Sequence, residues 1–181
     1  MIKGKILLAE PSIYRDQNFH RSTVIIVDDK DSSILGFILN KPLDYTLNEI
    51  VPDIKINLPI YFGGPVDQEN LFLIHNAGNI IPGSQKICKN LFWGGDFDKI
   101  VALVNNKILT KKDIRFFLGY SGWSVNQLKN EIAAKSWIVT ENFFSDEIFI
   151  LKPETLWKKQ MVSLGGKYII WSNTPENPYH N

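Results

Sequence analysis

A single α/β or α+β domain, with a mixed β-sheet flanked by helices, is what this sequence predicts, and three observations carry the prediction. Short apolar runs rich in β-branched residues dominate residues 1–76. After them, strand and helix patterns alternate. A hydrophobic fraction of 44% with 12% aromatics, over 181 residues, suffices for one core of ordinary size. No internal repeat or linker interrupts the chain. Residues 1–172 read as the domain, and the polar, Pro-containing 173–181 as a tail that drapes over the surface or frays.

The elements follow in order. "GKILLAE" (4–10) reads as a buried strand opened by Gly4 and closed by Pro11, and "STVIIVDD" (22–29) as a second. The acidic "DDKDSS" (28–33) is a loop, "LGFILNKP" (35–42) a third strand stopped by Pro42, and "LPIYFGGP" (58–65) a fourth ending in a glycine pair. "NLFLIHN" (70–76) is a fifth, followed by the turn-rich "AGNIIPGS". Asp96 caps an expected helix from 97 to about 105, with Phe97, Ile100, Val101 and Val104 at helical spacing. "IRFFLGY" (114–120) is a further strand. Ser124 and Gln127 have the spacing of a capping box, opening a helix with Val125, Leu128 and Ile132 on one face and Lys129, Glu131 and Lys135 kept wet. "SWIVTEN" (136–142) is another strand. Pro153 opens a last helix lined by Leu156, Gln160, Met161 and Leu164, which Gly165 stops.

Charge and cysteine content exclude several functions. Twenty Lys+Arg against 19 Asp+Glu leave +1, which is no electrostatic footprint for nucleic acid. Lys107, Lys111, Lys112 and Arg115 cluster, but Asp113 interrupts them, and they read as a solvated turn. Cys88 is the only cysteine, so neither an intrachain disulfide nor a Cys-rich zinc site can form. The apolar run 6–9 is too short for a signal peptide, and no stretch approaches membrane-spanning length, so a soluble cytoplasmic protein is expected.

The sharpest candidate chemistry is "GYSGW" at 119–123. It approaches the G-x-S-x-G nucleophile elbow, but Trp123 stands where the second glycine is needed. Ser121 would also require a histidine, from His20, His75 or His180. Gly63 and Gly64 offer free amides to an anion, yet no Lys-Ser/Thr follows and no G-x-G-x-x-G occurs; the simpler reading is a tight turn with Pro65 fixing its exit. "WGGD" (93–96) is a joint of the same kind. Asp29, Asp31 and Ser33 alternate as in a calcium loop, but Ile34 and Asn40 occupy the places that need Gly and Glu. The five tryptophans are scattered as packing residues are, and Arg21 or Arg115 can stack on one of them.

Taken together, "GKILLAEPSI", "FHRSTVII" with Arg21, "GFILNKP", "FGGPV", "LFLIH" ending in His75, and "LGYSGWSVNQLKNEI", with Trp137 and "LGG" at 164–166 behind them, resemble the bacterial AlgH/YqgE family over nearly the whole chain. The resemblance implies a compact α/β domain with no established activity or cofactor, in a family where some members are labelled transcriptional regulators. The family often has alanine where Ser121 stands. The loop "DDKDSSILG" departs from its usual connection, so nothing is carried over for 28–33.

The expectation is a binding or regulatory module rather than an enzyme, without catalytic residue, metal or cofactor. Its candidate surface gathers Arg21, Asn40, Lys41, Gly63, Gly64, Pro65, His75, Gly119, Tyr120, Ser121, Gly122 and Trp123, if the fold brings these strand and loop ends together. Arg21 and Lys41 favour a small anionic ligand such as a nucleotide or other phosphate; a protein partner is the other occupant considered. A DNA-associated transcriptional regulator is the alternative, although no helix-turn-helix pattern is present. A hydrolase using Ser121 and His75 ranks last.

Overall fold

Residues 1–30, 32–145 and 147–174 are described in a computed structural model; Asp31, His180 and most of the expected tail lie outside them. The strands are β1 (Ile6–Ala9), β2 (Thr23–Asp28), β3 (Ser33–Ile38), β4 (Pro42–Thr46), β5 (Pro59–Phe62), β6 (Val66–His75), β7 (Gln85–Cys88), β8 (Leu91–Trp93), β9 (Ile114–Ser124) and β10 (Trp137–Thr140). The helices are α1 (Leu47–Ile50), α2 (Phe97–Asn105), α3 (Val125–Ala133), α4 (Pro153–Leu164) and α5 (Lys167–Trp171). The strands form one ten-stranded mixed sheet in the order β10-β1-β2-β3-β9-β6-β8-β7, with β5 joined to β9 and β4 to β5. All the pairings are antiparallel except β5 with β9.

Side-chain alternation along the strands divides the core into layers. Ile6 and Leu8 of β1, Ile25 and Val27 of β2 and Phe117 of β9 share one cluster with Leu156, Trp157 and Met161 of α4. Their neighbours Leu7, Ala9, Val24 and Ile26 pack on the other face with Leu128 of α3. Farther along that second face, Phe116 and Ile114 meet Ile100, Leu103 and Val104 of α2. Helices therefore cover both faces, and the stacked rings of Phe37 and Phe117, 4.9 Å apart, lie under α4.

Several sequence expectations change. β4, α1, β7 and β8 carry too few periodic residues to stand out. The helix expected to be last is followed by α5, after the Gly165 stop. Glu131 is not wet: its carboxylate accepts the indole N–H of Trp123 at 2.9 Å and of Trp137 at 2.7 Å. Ser124 caps α3 by accepting from the Gln127 amide, but the Gln127 side chain turns to Glu131, so only half of the capping box forms. Ser124 is instead paired across to Ser33 as the end of β9.

The largest correction concerns 119–123. These residues are not a turn after a strand; they continue β9, which changes partners there. Residues 116–118 pair with β5 on one edge and β6 on the other, whereas 121–124 pair with β3. Since β5 and β6 flank β9 on opposite edges, the three-residue link Gly63-Gly64-Pro65 must cross over β9. It does so in backbone contact. A Cβ on Gly63 would lie 2.2 Å from the Gly119 carbonyl oxygen, and one on Gly119, whose φ is +69°, would lie 2.5 Å from that of Gly64. The Gly63 amide donates to Leu118 O at 2.8 Å, and its carbonyl accepts from the Ile38 amide at 2.9 Å and the Ser121 hydroxyl at 3.0 Å.

Gly63→Ala is expected to cost roughly 3–5 kcal/mol by urea unfolding, because backbone must move to admit the methyl. Gly94→Ala is the control: its φ is +67° but nothing lies within 4 Å of the added Cβ, so only about 1–2 kcal/mol is expected.

Candidate functional site

The candidate residues separate into three places. Arg21, Asn40 and Lys41 come together. His20–Arg21 before β2 and Asn40–Lys41 after β3 form one wall of a cleft of about 530 Å³, and α4 forms the other with Glu154, Trp157 and Lys158. The α4 residues stand at i, i+3 and i+4, hence on one helix face. That spacing is visible in the sequence, but nothing there places α4 opposite Arg21.

Asn40 builds this corner. Its side-chain carbonyl accepts from the Thr23 amide and its amide donates to the Arg21 carbonyl, both at 2.8 Å. One side chain thus replaces two strand-to-strand hydrogen bonds and holds Arg21 in the left-handed region, at φ +52°. That conformation is uncommon for a residue other than glycine. The Arg21 guanidinium lies over the Trp157 ring, 4.9 Å from its centre, and donates to the Thr174 carbonyl. Trp157 is in turn fixed by its indole N–H to Ala9 O at 2.9 Å. Lys41 Nζ donates to the carbonyls of Gln17 at 3.1 Å and Asn18 at 2.6 Å. Burial pushes its pKa down, and Asp16 opposes that shift. Among the described residues the cleft thus carries three cationic side chains, Arg21, Lys41 and Lys158, against one carboxylate, Glu154.

Gly63, Gly64, Gly119 and Ser121 belong to the backbone crossing. Gly64 and the Tyr120 carbonyl leave no space between them, since a Cβ on Gly64 would lie 2.3 Å from it, and Pro65 leads the chain out into β6. Tyr120, Gly122 and Trp123 line a separate shallow cleft with Val66 and 32–35.

His75 is at the third place. It is fully buried. Its Nδ1 accepts from the Ala77 amide at 3.1 Å, which leaves the proton on Nε2, facing Gly94 O and Ser84 Oγ, each at 3.1 Å. Ser121 and His75 do not meet. His75 is level with Ile114 across β6 and β9, and Ser121 is seven residues farther along, roughly 23 Å at about 3.3 Å per residue. The Ser121 hydroxyl donates to Gly63 O, and among the described residues no base is in place to activate it.

Burial pushes the His75 pKa below its ordinary 6.5, partly offset by its hydrogen bond to the Gly94 carbonyl. A lowered folded-state pKa means that the unfolded chain takes up the proton first. His75 therefore contributes its full stability above pH 6.5 and loses it as pH falls through that value toward the folded-state pKa. Urea unfolding at pH 7.5 and at about pH 5 should show a larger loss for wild type than for His75→Gln.

No helix of the described residues is long and apolar enough to cross a membrane. Among them, no group of three or more His, Cys, Asp or Glu side chains could hold a metal ion.

The whole architecture has solved counterparts. It matches a Corynebacterium diphtheriae protein with a TM-score of 0.77 at 19% identity, covering 96% of this chain and 93% of that one. It matches the solution structure of the AlgH protein from Pseudomonas aeruginosa with a TM-score of 0.73 at 23% identity, covering 96% and 94%. Both likenesses are of fold. In sequence, a UPF0301 protein of Chlorobium phaeobacteroides is 40% identical over 176 residues, 97% of this chain and 93% of the relative. Another, from Cytophaga hutchinsonii, is 38% identical over 183 residues, covering both chains completely. The family described as AlgH-like matches residues 6–169. The chain belongs to the AlgH-like family, whose UPF0301 relatives carry no assigned activity in their names.

Proposed function

We propose that this protein is a binding module for a small anionic ligand, held in the cleft between Asn40–Lys41 and α4. The observation that carries the reading is the convergence of Arg21, Lys41 and Lys158 on that cleft, with Arg21 locked by Asn40 beneath and Trp157 beside it. Arg21 and Lys41 are held in place before a ligand arrives and so lose little freedom on binding, which favours affinity. Guanidinium and ammonium together suit a phosphate or a multiply charged carboxylate. Trp157 is buried, so its ring supports Arg21 rather than offering a stacking platform, and the anionic end of the ligand dominates recognition. A regulatory role would run through such a ligand or through a protein partner, since a net charge of +1 gives no general attraction to DNA.

Thermal unfolding with ADP and with inorganic pyrophosphate tests this. At ten times its Kd, a ligand of the folded state should raise Tm by about 3–6 °C. Lys41→Ala and Lys158→Ala should each reduce the shift. Equal shifts in the variants and in wild type, or no shift with either anion, would contradict the reading.

A further inference from the structure

A second cleft, of about 280 Å³, lies where β9 begins, between the turn 110–113, the start of β5 and the segment leading into α4. Its walls are largely apolar, with Leu58, Ile114 and Leu151 among them. Its charged groups are Arg115, Lys111, Lys112 and Lys152, and among the described residues no Asp or Glu lines it.

Arg115 is the anomaly. It was expected in a solvated turn, yet it is 4% exposed. Nη1 donates to Leu39 O at 2.8 Å, and the guanidinium lies 4.4 Å from the centre of the Tyr61 ring. No described carboxylate reaches it. Buried cations are ordinarily paired with an acid, because taking an unpaired charge out of water is expensive. A carbonyl oxygen and an aromatic face offset only part of that cost. The same imbalance appears in its pKa, which burial pushes down while Tyr61 opposes. The twelve-residue α4 also begins at this cleft, with Lys152 as an N-cap that makes no side-chain capping hydrogen bond. The helix dipole adds positive potential there, although Pro153 brings no amide N–H and Glu154 stands in the same turn.

We infer that this cleft binds a small organic carboxylate with an apolar body, such as a medium-chain or aromatic acid, with Arg115 receiving the carboxylate at its base. The planar guanidinium matches a carboxylate in two-point geometry. The apolar walls favour a hydrocarbon body over a highly hydrated phosphate. The volume is below the roughly 300–1,000 Å³ of sites for larger ligands. Lys111, Lys112 and Lys152 attract the anion, and Tyr61 holds the guanidinium plane in place. This site is separate from the Arg21–Lys41 cleft and does not depend on it.

Calorimetric titration of the full chain with octanoate is the test, with octanol and inorganic phosphate as comparators. Octanoate should bind saturably, octanol and phosphate at least tenfold more weakly. The double change Lys111→Glu/Lys152→Glu, at the cleft mouth, should weaken octanoate at least tenfold, and Lys41→Ala should leave it unchanged. Arg115→Ala also strips Leu39 O of its partner, so the deeper variant is Arg115→Lys, which keeps the charge and loses the fork. With a wild-type unfolding curve, Arg115→Lys should bind octanoate about tenfold more weakly. Failure of octanoate to bind, octanol binding equally well, phosphate binding in its place, or undiminished affinity in Arg115→Lys would each overturn the inference.

Discussion

The chain crosses itself at van der Waals contact, backbone on backbone, where Gly63 and Gly64 pass over Gly119 and Tyr120. No side chain intervenes, because at 63, 64 and 119 none would fit. The crossing lets β5 lie along one edge of β9 and β6 along the other with only three residues between them. Parallel neighbours ordinarily require a long crossover, and antiparallel ones a hairpin. This link is neither: it changes edge by going over the strand. Gly63 closes the junction through three hydrogen bonds to two strands, with Leu118 and Ser121 of β9 and with Ile38 of β3. The hydroxyl that resembled a nucleophile is one of its fastenings.

Both clefts depend on that junction. β3 runs into it, and the residues that follow β3 divide between the two sites. Leu39 gives its carbonyl to Arg115 in one cleft, while Asn40 and Lys41 build the wall of the other. The Lys41 carbonyl in turn accepts from the Phe62 amide at 2.8 Å, immediately before the glycine pair. The stretch 39–41 is therefore pinned from β2, β5 and β9 together. Pinning of this kind is what allows a non-glycine residue, Arg21, to be kept at positive φ. α4 spans the same region: its first turn lies at the Arg115 cleft and its second carries Trp157 against Arg21.

Much of the fold was legible in the sequence, and the failures have physical causes. β1, β2, β3, β5 and β10 are visible as short apolar runs, and α2, α3 and α4 through Asp96, Ser124 and Pro153 at their starts. β7 and β8 were invisible because three or four residues cannot establish a period. The stretch 119–123 was misplaced because a glycine cluster ordinarily signals a turn, whereas here it admits another chain over a continuing strand. Arg115 was misread for a similar reason. Adjacent lysines suggested solvent, although its position within the apolar "IRFFL" was the better indication of burial. Of the candidate surface, Arg21, Asn40 and Lys41 do converge, whereas His75 and the 119–123 segment lie elsewhere. The α4 wall of the cleft depends on a contact far apart in sequence, which no local pattern reports.

Amide hydrogen exchange at the junction tests this account most directly. Buried hydrogen bonds that every other element depends on should open only with global unfolding. The amides of Ile38, Phe62 and Gly63, which donate to Gly63, Lys41 and Leu118, should be among the slowest in the chain and as protected as those of Leu7 and Ile25 in the sheet interior. Exchange of these three through local opening, while β1 and β2 stay protected, would show that the crossing is a peripheral feature and contradict the account.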